Sequence, residues 1–147
     1  YMHWQRTFLH PSLLAFDAPT REECTAERVV SNTPQQALVL LNDPIFVEAA
    51  RVFSERIQRQ GGKDFNSRLR FAFRLALQRE PAAAETKIFA SLFDRHLGLY
   101  RADPGAARAL VATGDWPVAD KLPAAEHAAW TSVTRVILNL HEALVRY

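Results

Sequence analysis

Apolar side chains recur at steps of three and four through most of the chain, and polar–proline pairs cut that rhythm into segments. The stretch SNTPQQALVLLNDP, residues 31–44, shows the device twice. Thr33 can accept a hydrogen bond from a first-turn amide, Pro34 takes a position where a missing N–H costs nothing, and Gln36 completes a Thr-x-x-Gln capping box. The helix it opens carries Ala37, Leu38, Leu40 and Leu41 and stops at Asn42. Asp43 then caps a second helix with Pro44 at its first position, and Ile45, Phe46, Ala49, Phe53 and Ile57 follow at helical spacing until Gly61-Gly62 ends it. The prolines forbid one continuous rod, so the pattern predicts a helix, a sharp corner and a helix.

A third helix begins after Asp64, with Phe65, Leu69, Ala72, Phe73 and Ala76 on its apolar face. Pro81 marks the next start, and Ile88, Phe89, Leu92, Phe93 and Leu97 form a stripe running to about Tyr100. Asp103-Pro104 opens a short helix that ends near Gly114, and GDWPVADKLP is a turn-rich connection. The last helix places Trp130, Val133, Ile137, Leu140 and Leu144 on one stripe. Residues 1–32 look irregular: Pro11 and Pro19 interrupt them, yet Trp4, Phe8, Leu13, Leu14 and Phe16 are too apolar for a free tail and should pack on the helices that follow. No segment alternates like a strand. The expected fold is all-α, one domain over residues 1–147, with a helical core over 33–147 built of about five or six helices.

Composition narrows the function only a little. Hydrophobic residues make up 48% and charged residues 23%, which excludes wholesale disorder. Eighteen basic against sixteen acidic residues leave a net charge of +2, too small to argue for nucleic acid as a partner. No apolar run reaches the roughly 20 residues of a membrane span. The single cysteine, Cys24, excludes an internal disulfide, a zinc knuckle and covalent haem attachment, so no cofactor is expected in this chain. The start YMHWQRTFLHP lacks a signal-peptide pattern, and a start at Tyr1 without an initiator methionine suggests a fragment of something longer.

Candidate chemistry gathers near the corner. Asp43 and Glu48 could bind a cation or a sugar hydroxyl, but capping explains Asn32, Thr33 and Asp43, and Glu48 can pair with Arg51 on an exposed face. Asn42 is the least explained, as a side chain that could bond across to another segment. His3, His10, His96, His127 and His141 form no HxxxH or HExxH set, so no metal site is expected. Cys24 lies beside Glu22 and Glu23, which oppose a thiolate; it reads as a small apolar contact, or as a partner for a cysteine elsewhere. Arg68, Arg70, Arg74 and Arg79, with Arg56 and Arg59, make a basic side that either pairs with Glu55, Glu80 and Glu85 or meets an acidic partner. Among the tryptophans, Trp130 reads as core, and Trp116, in a loop before Pro117, is the one worth testing as a ligand contact.

Four blocks occur in an order that matches a family: FDAPTREEC, SNTPQQALVLLNDPIFVEAAR, LALQREPAAAE and AAWTSVTRVILNLHE. They resemble the C-terminal domain of unknown function 1553, also called PSD-one, of large multidomain proteins of planctomycetes and related bacteria. Gln35, where an apolar residue is expected, and His141, where an acidic one is usual, depart from that pattern. The resemblance implies an exported protein of the periplasm or cell envelope, partners in upstream domains of the same polypeptide, and a c-type cytochrome-like domain among them. It carries no catalytic residue over. The expectation is therefore a structural or interaction module docking on upstream domains, with Asn32, Asn42, Asp43, Glu48, Arg51 and Trp116 as candidate ligand or interdomain contacts. The rival is part of a cleft in a polysaccharide-degrading or redox assembly.

Overall fold

Four of the eight helices among the described residues start on a side-chain acceptor placed just before a proline. In the computed structural model, which describes residues 9–19, 26, 31 and 33–144, His10 Nδ1 accepts the Ser12 N–H at 3.3 Å and Pro11 opens α1, Pro11–Ala15. The segment expected to be irregular thus contains one helical turn, because Pro11 stands at a first-turn position and starts a helix there. Thr33 and Gln36 form the predicted capping box, both bonds at 3.4 Å, and launch α2, Pro34–Asn42. Asp43 closes α2 and opens α3, Pro44–Gln60, through an Ile45 N–H bond of 3.0 Å to its Oδ1. The rod is broken where the sequence pattern predicts.

Asp64 caps α4, Phe65–Leu77, at Ser67 N (2.9 Å), and α4 ends on Gln78 in the left-handed region, φ 57°. Ahead of α5, Ala83–Ala102, Ala82 has no capping side chain, so Glu85 reaches back to its N–H at 2.7 Å. This start lies just past Pro81. Asp103 caps α6, Pro104–Val111, at Ala106 N (2.9 Å). The last predicted helix is corrected: it is two, α7, Ala124–Leu138, and α8, His141–Leu144. At Asn139 the N–H turns to Val136 O (3.1 Å), a tighter turn than α, and the axis breaks before Leu140. Leu140 still packs on the core of Trp130 and Ile137 from the turn between the two helices, while Leu144, on α8, is exposed.

Eight helices and no strand occur among the described residues. The layout centres on α7, which packs against each of α2 to α6. Ile57, Leu69, Phe73, Phe89, Trp130, Val133 and Ile137 form the main core, with Phe65 stacked on Trp130 at 5.3 Å and Phe93 beside it at 5.1 Å. Residues 127–134 are buried on every side of α7 although four of them are polar hydroxyl or imidazole bearers. The hydroxyls solve this locally. Thr131 and Ser132 donate back to His127 O (2.8 Å) and Ala128 O (3.1 Å), so no external partner is needed to bury them.

Candidate functional site

The first described segment is tied to the corner by hydrogen bonds. Ser12 donates to Asp43 Oδ2 at 3.0 Å, so this carboxylate serves α3 with one oxygen and α1 with the other. Asp17 Oδ2 accepts from Ser31 Oγ (2.6 Å) and from the buried Gln36 amide (3.4 Å), and Phe16 packs on Phe46 with centroids 6.1 Å apart. From the other side Arg135 of α7 donates to Leu41 O, at the negative end of the α2 dipole. Asn42 is exposed and donates to Leu38 O of its own helix at 3.0 Å. Among the described residues it makes no hydrogen bond to another segment. Asn32, Trp4, Phe8, His3 and Cys24 lie outside the described residues.

Glu48 and Arg51 face a different neighbour, the loop after α6. Arg51 is 0% exposed, which corrects the expectation of a pair on an exposed face. Its guanidinium donates to Trp116 O at 2.6 Å and Pro117 O at 3.3 Å, while Glu48 Oε1 accepts the Trp116 N–H at 2.5 Å and sits 3.8 Å from Arg51. The loop backbone is thereby gripped at both of its hydrogen-bonding groups by two side chains of α3. Gly114 makes the approach possible: its φ is +92°, and a Cβ there would run into the Glu48 carboxyl group. What this grip presents is Trp116, 60% exposed, and Val118, 47% exposed. Ile45, 62% exposed, stands one helical turn before Glu48 on the same face.

Beneath the grip runs a buried polar seam between α3 and α7 that the sequence analysis did not single out. Ser54 Oγ lies 2.8 Å from Arg51 O and 3.1 Å from Thr131 Oγ1, His127 Nε2 lies 3.2 Å from Arg51 O, and Thr134 reaches Ala50 O at 2.8 Å. Burial pushes the His127 imidazole below its usual range, with the Arg51 charge adding to the effect and the hydrogen bond to the Arg51 carbonyl opposing it. The legible signal was the run HAAWTSVT, small and hydroxylic residues without a polar face, which marks a helix surrounded on all sides.

Among the described residues no group of three His, Cys, Asp or Glu side chains is placed to hold a metal, and no helix is long and apolar enough to cross a membrane. Of the sequence-predicted contacts, the fold unites Glu48, Arg51 and Trp116, leaves Asn42 on solvent and uses Asp43 as a joint. Fold and site together define an all-α module whose best-built surface feature is a clamped, tryptophan-bearing loop. The chain belongs to the PSD1 family, described as "Protein of unknown function (DUF1553)", whose sequence pattern matches residues 1–93. No curated protein and no solved structure matches it.

Proposed function

We propose that this chain is a structural and interaction module that docks on other domains of the same polypeptide through the Trp116 loop. One observation carries the reading. A fully buried arginine is committed to two backbone carbonyls of an exposed loop, so the loop is held in one shape while its indole stays in water. Exposed aromatic anchors on rigid supports are what interfaces use, because little conformational freedom is lost on contact. The setting we propose is exported, periplasmic or envelope-bound, with upstream partner domains that include a c-type cytochrome-like one. This setting is drawn from the family resemblance of the NTP and LNDP blocks.

The experiment places a photo-crosslinking phenylalanine analogue at position 116 of the full-length polypeptide, with position 99 as the control, since Leu99 is 55% exposed on α5. Crosslinks from position 116 into another domain, exceeding those from 99, are the expected result. Equal labelling from both positions overturns the docking reading. The same exposed indole favours a second reading, a sugar-stacking edge of a cleft in a polysaccharide-degrading assembly. That reading predicts quenching of Trp116 fluorescence by oligosaccharides, lost in Trp116→Phe, with no interdomain crosslink.

A further inference from the structure

Residues 51–80 carry eight arginines and lysines against three acids, in a chain whose formal charge is only +2. Most of these cations are held by carboxylates of the fold. Arg59 pairs with Glu55 at 2.8 Å, Arg68 with Glu126 at 2.5 Å, Arg74 with Glu80, and Arg79 with Glu85 and Glu142 at 2.7 and 2.6 Å. Arg56 and Arg70 differ. Exposed Arg56 donates to Gln60 Oε1 at 3.3 Å, which leaves the Gln60 amide nitrogen as a donor. Exposed Arg70 makes no ion pair among the described residues and meets Asp64 only through space.

Two depressions meet at Arg70. One, about 240 Å³, is lined by Gln60, Gly61, Ser67, Arg70, Phe71 and Arg74. The other, about 160 Å³, is lined by Asn66, Arg70, Glu80, Pro81 and Thr86. Gly61 keeps the turn between α3 and α4 tight, because a Cβ there would stand 2.6 Å from Ile57 O and 3.0 Å from Arg68 Cα.

We propose that this face of the α3–α4 hairpin binds an acidic segment of a partner polypeptide, with one partner carboxylate on Arg70 and its hydrocarbon stem against Phe71. The guanidinium fork matches a carboxylate, and Arg74, one turn further along α4 and lining the same depression, already holds the Glu80 carboxylate. Half-buried Phe71 supplies the apolar floor that a glutamate stem covers. A phosphate chain fits less well, because the half-buried Phe71 ring beside Arg70 is covered by a carboxylate's alkyl stem and not by a phosphodiester. This surface lies at the opposite end of α3 from Glu48 and the Trp116 loop, so the two readings stand or fall separately.

The test is fluorescence anisotropy of a labelled hexaglutamate peptide titrated with the 147-residue chain at low salt. Saturable binding is expected, weakened by added salt, and Arg70→Glu should weaken it about tenfold or more. Arg101→Glu, the same charge change at an exposed position of α5, should cost less than about twofold. Should Arg70→Glu lower the melting temperature, Arg70→Gln replaces it and should give an intermediate loss. Absence of saturable binding, equal losses at positions 70 and 101, or tighter binding of a single-stranded oligonucleotide or heparin fragment of matched charge each overturns the proposal.

Discussion

Gly114 and Gly98 are both replaceable by alanine on paper, and the fold gives the two changes opposite signs. At Gly98, on the exposed side of α5, a Cβ meets nothing within 4 Å, so Gly98→Ala should stabilise by about 0.4–1 kcal/mol through the unfolded chain. At Gly114 the φ of +92° and the Glu48 carboxyl group both oppose a side chain, so Gly114→Ala should destabilise by about 1–3 kcal/mol. Urea denaturation of the two variants checks the pair. A loss at Gly98 or no change at Gly114 would contradict the described loop geometry. Arg51→Met removes charged hydrogen bonds to two carbonyls and should cost about 1.5–3 kcal/mol per bond at most, discounted because the loop carbonyls regain water. Its separate signature is faster hydrogen exchange at the Trp116 amide, since Glu48 loses its orienting cation.

Helix starts were legible because each is a local chemical event. Thr33, Asp43, Asp64 and Asp103 each place an oxygen on a free first-turn N–H, and three of them stand directly before a proline. Asp43 adds the Ser12 contact, so the corner has both a local and a long-range part. Asp43→Ala should lower stability by about 1 kcal/mol from the cap alone. Asp43→Asn keeps an acceptor for Ile45 N and should recover most of that loss. A thermal melt identical for wild type and Asp43→Ala would remove the corner from the list of stabilising elements. Helix ends were less legible. The break at Asn139 has no proline or glycine to announce it, and α4 stops at Gln78, a residue type with no preference for the left-handed region. Pro11 carried the opposite ambiguity, since the same ring that interrupts a helix also begins one.

At the scale of the whole molecule, α7 decides the architecture, and its role was half visible. Trp130 and Ile137 showed as one stripe, and both are buried at 1% and 0% exposure. The side next to it, His127, Thr131 and Thr134, carries polar groups and faces α3 instead of water, because back-bonded hydroxyls let threonine pack like a small apolar residue. The site was legible only as separate residues: nothing in the spacing of Glu48, Arg51 and Trp116 says that a loop more than sixty positions away closes on α3. Stability depends on pH in two windows, of which the first involves this buried seam through His127. His127 and His96 are held below 6.5 by burial first, with cationic neighbours adding to it, so the folded state binds fewer protons than the unfolded one. Their contribution is fully present above pH 6.5 and is lost as pH falls below it. Glu85, pulled to about 2 chiefly by its hydrogen bonds with Arg79, contributes stability that is present above 4.5 and lost as pH falls through about 2. Urea titrations at several pH values should therefore show a decline beginning near 6.5 and a second one below 4.5. His127→Gln should shrink the first decline, His96→Gln combined with it should flatten that window, and Glu85→Gln should shrink only the second. A first decline unaltered in the double histidine variant would mean that the imidazole of His127 is not shut between α3 and α7.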